Sequence, residues 1–200
     1  MERTRRDLLA TTATTFTAVG SLGVAGCLDF AAGDGPQGPE GTPDTLACED
    51  DEFVRLAQPF EGSVEGTLVE AAGTTLELSA EGNSETYGQS LRLVLRNTGE
   101  ESAATRGEHA YSLQRDTAEG WLDVRGSRTG ESVELPRSEE TLDPDGSYSW
   151  SIDLEEEAIA TAVPDLDLAV CPPLGSGRYR FVYWGIVDAP PLGAEFDLIG

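Results

Sequence analysis

The chain has 200 residues, with 37 Asp+Glu against 13 Lys+Arg, a formal charge of -24, and a hydrophobic fraction of 38%. At about 100–200 residues per domain, that is one domain with extensions. The charge excludes a nucleic-acid partner held through phosphate neutralisation, which needs clustered Lys and Arg. One His and three Cys exclude most zinc sites built from clusters of those ligands. No metal or other cofactor is expected.

The first residues read as an address. Arg5-Arg6, one variable residue, then Leu8-Leu9 resemble a twin-arginine export signal, and a mildly apolar stretch follows to Gly26. It is shorter and more polar than a bilayer-spanning helix of about 20 apolar residues. It ends in Val24-Ala25-Gly26-Cys27, which resembles a lipobox. In that family a thiol such as that of Cys27 takes a lipid, since a thiolate is the good nucleophile for thioether formation. Residues 1–26 are therefore expected to be a signal peptide and are set apart from the fold. The resemblance implies an exported, already folded protein, held by its lipid on the outer face of the cell membrane.

All thirteen basic residues are Arg. An acidic chain without Lys resembles the proteins of salt-in haloarchaea. At molar salt the Debye length falls to about 3 Å, so like charges barely repel. Surface carboxylates then hold water and oppose salting-out. The other reading, an acidic cation binder, is weaker because the acids are not in calcium-loop spacing.

Residues 27–46 are expected to be a lipidated Cys followed by a flexible linker. Gly33 to Pro43 is rich in Gly and Pro without apolar periodicity, a composition that gives an extended tether. Its three Gly-led triplets are too few for a collagen helix.

From Ala47 to Gly200 the chain carries strand signals. Thr74–Ser79 alternates, and Leu91, Leu93 and Leu95 share one face of the next strand. Tyr111–Arg115 and Trp121–Val124 flank a turn at Asp116–Gly120, as a hairpin would. Leu142–Gly146 is a Pro/Gly turn, after which Tyr148, Trp150, Ile152 and Leu154 alternate. Glu155–Ala162 is the one helix expected, closed by Pro164. Arg178–Trp184 is apolar on both faces, as suits a central strand, and Ala194–Leu198 ends the chain. Seven to nine short strands predict an all-β fold, a β-sandwich.

The order of several motifs resembles a bacterial immunoglobulin-like domain found in surface lipoproteins, notably of bacilli. They are Leu95-Arg96-Asn97-Thr98-Gly99, Tyr111-Ser112-Leu113, Gly120-Trp121, Leu142–Tyr148 and Leu174–Arg180. The pattern departs at Asp145, inserted before Gly146, and in the long segment from Trp150 to Leu174. The resemblance implies an immunoglobulin-like sandwich and brings no catalytic residues. Residues 48–80 lie outside it and are read as added strands.

Cys48 and Cys171 are expected to form a disulfide, as two Cys in an exported domain do; a free thiol pair is the alternative. His109 is the single His, and Ser112 and Asp116 are near it in sequence. No Gly-x-Ser-x-Gly elbow is present, so His109 is read as a loop residue. The acid runs Glu49–Glu52 and Glu155–Glu157 are read as solvated surface. Trp184 falls on the outer, partly covered side of its strand and is the one aromatic read as a candidate exposed contact. The chain is therefore expected not to be an enzyme but a lipid-anchored surface module that binds a protein or glycan. An inhibitor or accessory subunit of an exported enzyme is the alternative.

Overall fold

A computed structural model describes residues 35–200 apart from positions 65 and 72. The expectations for Arg5, Arg6 and Cys27 lie outside the described residues. The strands are β1 (Val54–Arg55), β2 (Leu68–Ala71), β3 (Thr74–Ala80), β4 (Ser84–Thr86), β5 (Ser90–Asn97), β6 (Ala103–Thr105) and β7 (Tyr111–Thr117). They continue as β8 (Gly120–Asp123), β9 (Arg125–Ser127), β10 (Glu140–Leu142), β11 (Ser147–Asp153), β12 (Ala169–Val170), β13 (Gly177–Tyr183) and β14 (Leu192–Ile199). One short helix, α1 (Glu156–Thr161), follows β11. The fold is all-β. Eight of these strands have four residues or more. The two- and three-residue ones lack enough alternation to stand out in the sequence.

Two sheets form the sandwich. One has the order β11-β5-β3-β2 and the other β4-β14-β13-β7-β8. Alternation decides their inner faces. Leu91, Leu93 and Leu95 of β5 are opposite Ile152, Trp150 and Tyr148 of β11. On the second sheet Tyr179, Phe181 and Tyr183 of β13 pair with Phe196, Ala194 and Leu192 of β14. Rings join the two sheets: Trp150 lies 4.9 Å from Phe181 and 5.6 Å from Tyr183 between centroids. Such tilted pairs contribute about 0.5–1.5 kcal/mol beyond the area they bury.

The turn Asn97-Thr98-Gly99 ties several strands together. The Asn97 side chain donates to the Leu142 and Glu101 carbonyls and accepts from Gly99 N–H and the Thr74 hydroxyl. A fully buried amide is tolerated because its hydrogen-bonding capacity is met.

The segment 35–46 is not the mobile tether expected from its Gly and Pro content. Gly38 N–H donates to Leu174 O and Gly41 N–H to Ser176 O, both at 2.7 Å. Further on, Pro43 and Asp44 accept from Ala118 and Glu119 at the β7–β8 turn. The buried Arg115 guanidinium binds the carbonyls of Pro39, Gly41 and Ser176 and the Tyr179 hydroxyl. Composition gives no warning of this, because most of the segment's partners lie more than 60 residues away.

The strap ends at the disulfide between Cys48 and Cys171, whose sequence separation is 123. Closing a loop of that size contributes about 4–5 kcal/mol in the chain-entropy model. Arg55 reinforces the junction, donating to the carbonyls of Leu46, Asp123 and Cys171 at 2.6–2.7 Å.

Close approach makes glycine necessary here. A Cβ on Gly175 would lie 1.9 Å from Pro39 O, whereas one on Gly35 would meet nothing within 4 Å. Gly175→Ala is therefore expected to destabilise by about 1–3 kcal/mol and to speed cleavage by a Glu-specific protease after Glu40. Gly35→Ala should leave the cleavage rate unchanged; equal rates for the two variants would show that the strap does not depend on this contact.

All five tyrosines are pushed above their ordinary range. Burial raises Tyr111, Tyr179 and Tyr183, Tyr148 is pushed to about 12, and the hydrogen bond to Glu156 pushes Tyr87 to about 12. The unfolded chain loses tyrosyl protons near pH 10, the folded chain only higher, so stability falls as pH rises above about 10. Absorbance at the tyrosinate band should stay flat through pH 10 and rise together with unfolding above it. A separate rise near pH 10 in the folded protein would contradict this.

Candidate functional site

Strand β13 runs from the clamped strap to a hairpin at the opposite end, residues 184–191. Its inner side chains belong to the aromatic core. On its outer side, next to Ser112 and Gln114 of β7, burial grows along the strand: Arg178 is exposed, Arg180 half-buried and Val182 fully buried. Irregular chain provides the cover. Leu56, Val133 and Leu135 lie opposite Ser112 and Trp184 around a cavity of about 190 Å³. A second, open groove of about 720 Å³ adjoins it, sharing Pro59, Arg137 and Trp184, and is bounded by Phe60, Arg106 and the 186–191 loop.

Trp184 sits between the two. It is 6% exposed, not the exposed contact expected from its place on the outer face. Periodicity gives the face correctly but says nothing about what covers it. The Arg137 guanidinium lies over the indole at 5.2 Å from the ring centroid, a cation–π contact. Trp184 N–H donates to Ala110 O at 3.0 Å, fixing the backbone. Its indole N–H is buried without a hydrogen-bond partner among the described residues.

Backbone pairing brings Arg106 to the same place. Arg106 N–H donates to Gly185 O at 2.7 Å, and Arg106 O accepts from Ser138 N–H at 3.1 Å. Arg106 and Arg137 are both exposed. Glu61 and Asp188 complete the polar lining of the open groove. Sequence reasoning marked Trp184 but missed both arginines. Neither stands in a motif, and they are 31 positions apart in the chain.

The other marked residues disperse. Cys48 and Cys171 are joined, as expected. His109 lies in the loop before β7, with Nε2 3.7 Å from Glu108. It lines a different cavity from Ser112, so the two are not brought together. Glu49–Glu52 is exposed, in keeping with its reading as surface. Glu156 departs from that reading: it accepts from the Tyr87 hydroxyl at 2.6 Å and from Leu174 N–H at 2.7 Å. The acid thus clasps α1 to both neighbouring segments. Among the described residues no helix is long and apolar enough to cross a membrane, and no group of three His, Cys, Asp or Glu is placed to hold a metal ion.

Neither a protein-family model nor a curated protein matches the sequence. The geometry of the groove therefore carries the functional argument.

Removing the Arg137 cover should open Trp184 to solvent. Arg137→Ala is expected to increase the fraction of tryptophan fluorescence quenched by acrylamide, and the increase should vanish in Arg137→Ala/Trp184→Phe. An increase that survives the double change would place the newly exposed ring at Trp121 or Trp150 and contradict the assignment.

Proposed function

We propose that this chain is a non-catalytic surface-binding module of a halophile. It is exported through the Arg5-Arg6 signal, held to the outer face of the membrane by a lipid on Cys27, and folded as an immunoglobulin-like sandwich. The observation that carries the reading is the position of the groove beside Trp184. It opens at one end of β13, while the strap is clamped at the other. Seven strand residues at about 3.3 Å each separate the two ends by roughly 20 Å.

The docked strap shortens the tether. Eight residues, 28–35, lie between Cys27 and Pro36, and eight residues span at most about 26–29 Å. Pro36 lies against Gly200 at the clamped end. A lipid on Cys27 would tether the clamped end within that reach of the membrane. A grooved face beside an aromatic favours a binding module over an inhibitor, which would present a protruding apolar loop.

The test uses the full chain expressed in a haloarchaeal host. The mature protein is expected in the membrane fraction with a lipid mass on Cys27, and Cys27→Ser should release it to the medium. In molar salt the anchored chain should retain envelope glycoprotein or glycan. Retention of a single exported enzyme instead would favour the accessory-subunit reading, and an unlipidated Cys27 would overturn the anchor.

A further inference from the structure

Carboxylates outnumber basic residues 37 to 13 in this chain, so an exposed arginine has acids within easy reach. Arg92, Arg96 and Arg178 each pair with one. Arg106, Arg128 and Arg137 pair with none among the described residues, and two of these, Arg106 and Arg137, line the groove beside Trp184. Backbone bonds through Ser138 and Gly185 hold the two arginines in one patch. The indole contact restrains Arg137 before any ligand arrives, which lowers the entropy lost on binding.

Two arginines without an ion pair lining one groove suit a carboxylate, which they can grip with charge-assisted hydrogen bonds. In molar salt a simple charge attraction fades over about 3 Å, whereas bidentate hydrogen bonding in a groove persists. The rest of the lining narrows the ligand class. Glu61 and Asp188 would repel a run of acidic residues but accept hydrogen bonds from hydroxyls. Phe60 and Pro190 give apolar surface for a ring's C–H face. The groove's volume of about 720 Å³ falls within the range of about 300–1,000 Å³ usual for small-ligand sites.

We infer that the groove binds an acidic sugar, a uronate unit of a surface glycan. Its carboxylate lies on Arg106 and Arg137 and its hydroxyls on Glu61 and Asp188. The inference rests on the surface-module reading and names its ligand.

The experiment titrates the full chain in molar KCl with glucuronate and a short oligouronate, with glucose as neutral control, and reads binding by saturation-transfer NMR and calorimetry. The uronates are expected to bind and glucose to bind at least about tenfold more weakly. Arg106→Gln, whose side chain makes no contact that the fold uses, should weaken uronate binding about tenfold or more. Arg137→Lys should do so too while keeping a cation over the indole, and Arg96→Gln, on the other sheet, should change nothing. Unchanged binding in Arg106→Gln, or equal binding of glucose, overturns the inference. Retention of envelope glycan by a chain that binds no uronate also overturns it, but leaves the surface-module reading intact.

Discussion

The constraint on which the rest of the molecule depends is the burial, on both faces, of the end of β13 that leads into Trp184. A strand in the middle of a five-stranded sheet has one face in the sandwich core by construction. Its other face would ordinarily meet water. Here that face is apolar enough, through Val182 and Trp184, to need a second cover. The cover comes from the segments around 56–59 and 133–137, which form no sheet over it. Irregular chain cannot fill a pleated surface as densely as a second sheet does. The gaps that remain are the cavity and groove beside Trp184. The candidate site is thus a consequence of how the outer face is closed.

Arginine holds the irregular segments in place. Arg125 is fully buried, bonded through two nitrogens to Asp123 and through a third contact to Tyr111 O. Arg115 gathers three carbonyls and a hydroxyl, and Arg55 gathers three carbonyls across the disulfide junction. A planar guanidinium with five donors can satisfy several backbone oxygens at once; a Lys ammonium offers three donors on a freely turning stem. In a chain that has no Lys, buried arginines take on the joining of loops as well as charge pairing. The two arginines of the groove carry neither an ion pair nor a side-chain hydrogen bond among the described residues.

Much of the sandwich was legible in the sequence. The alternation of Leu91, Leu93 and Leu95, the matching alternation of Tyr148, Trp150 and Ile152, and the inner face of Tyr179, Phe181 and Tyr183 each correspond to an observed strand and burial pattern; the outer face of that last strand is apolar only from Val182 on, with Arg178 exposed. The Glu155–Ala162 helix was readable for the same reason: its signals are local. The short strands, the Arg125–Asp123 pair and the Glu156 clasp were not, because each depends on a partner brought from elsewhere in the fold.

The sequence by itself determined the fold class and the inner faces of the main strands. Periodicity and residue type are local properties; the three cysteines left the pairing of Cys48 with Cys171 for the structure to show. Only the tertiary structure decided that residues 35–46 form a docked strap, that Trp184 is covered by Arg137, and that Arg106 and Arg137 share one groove. Those outcomes depend on contacts between segments tens of residues apart, set by packing around β13, and no spacing in the chain encodes them.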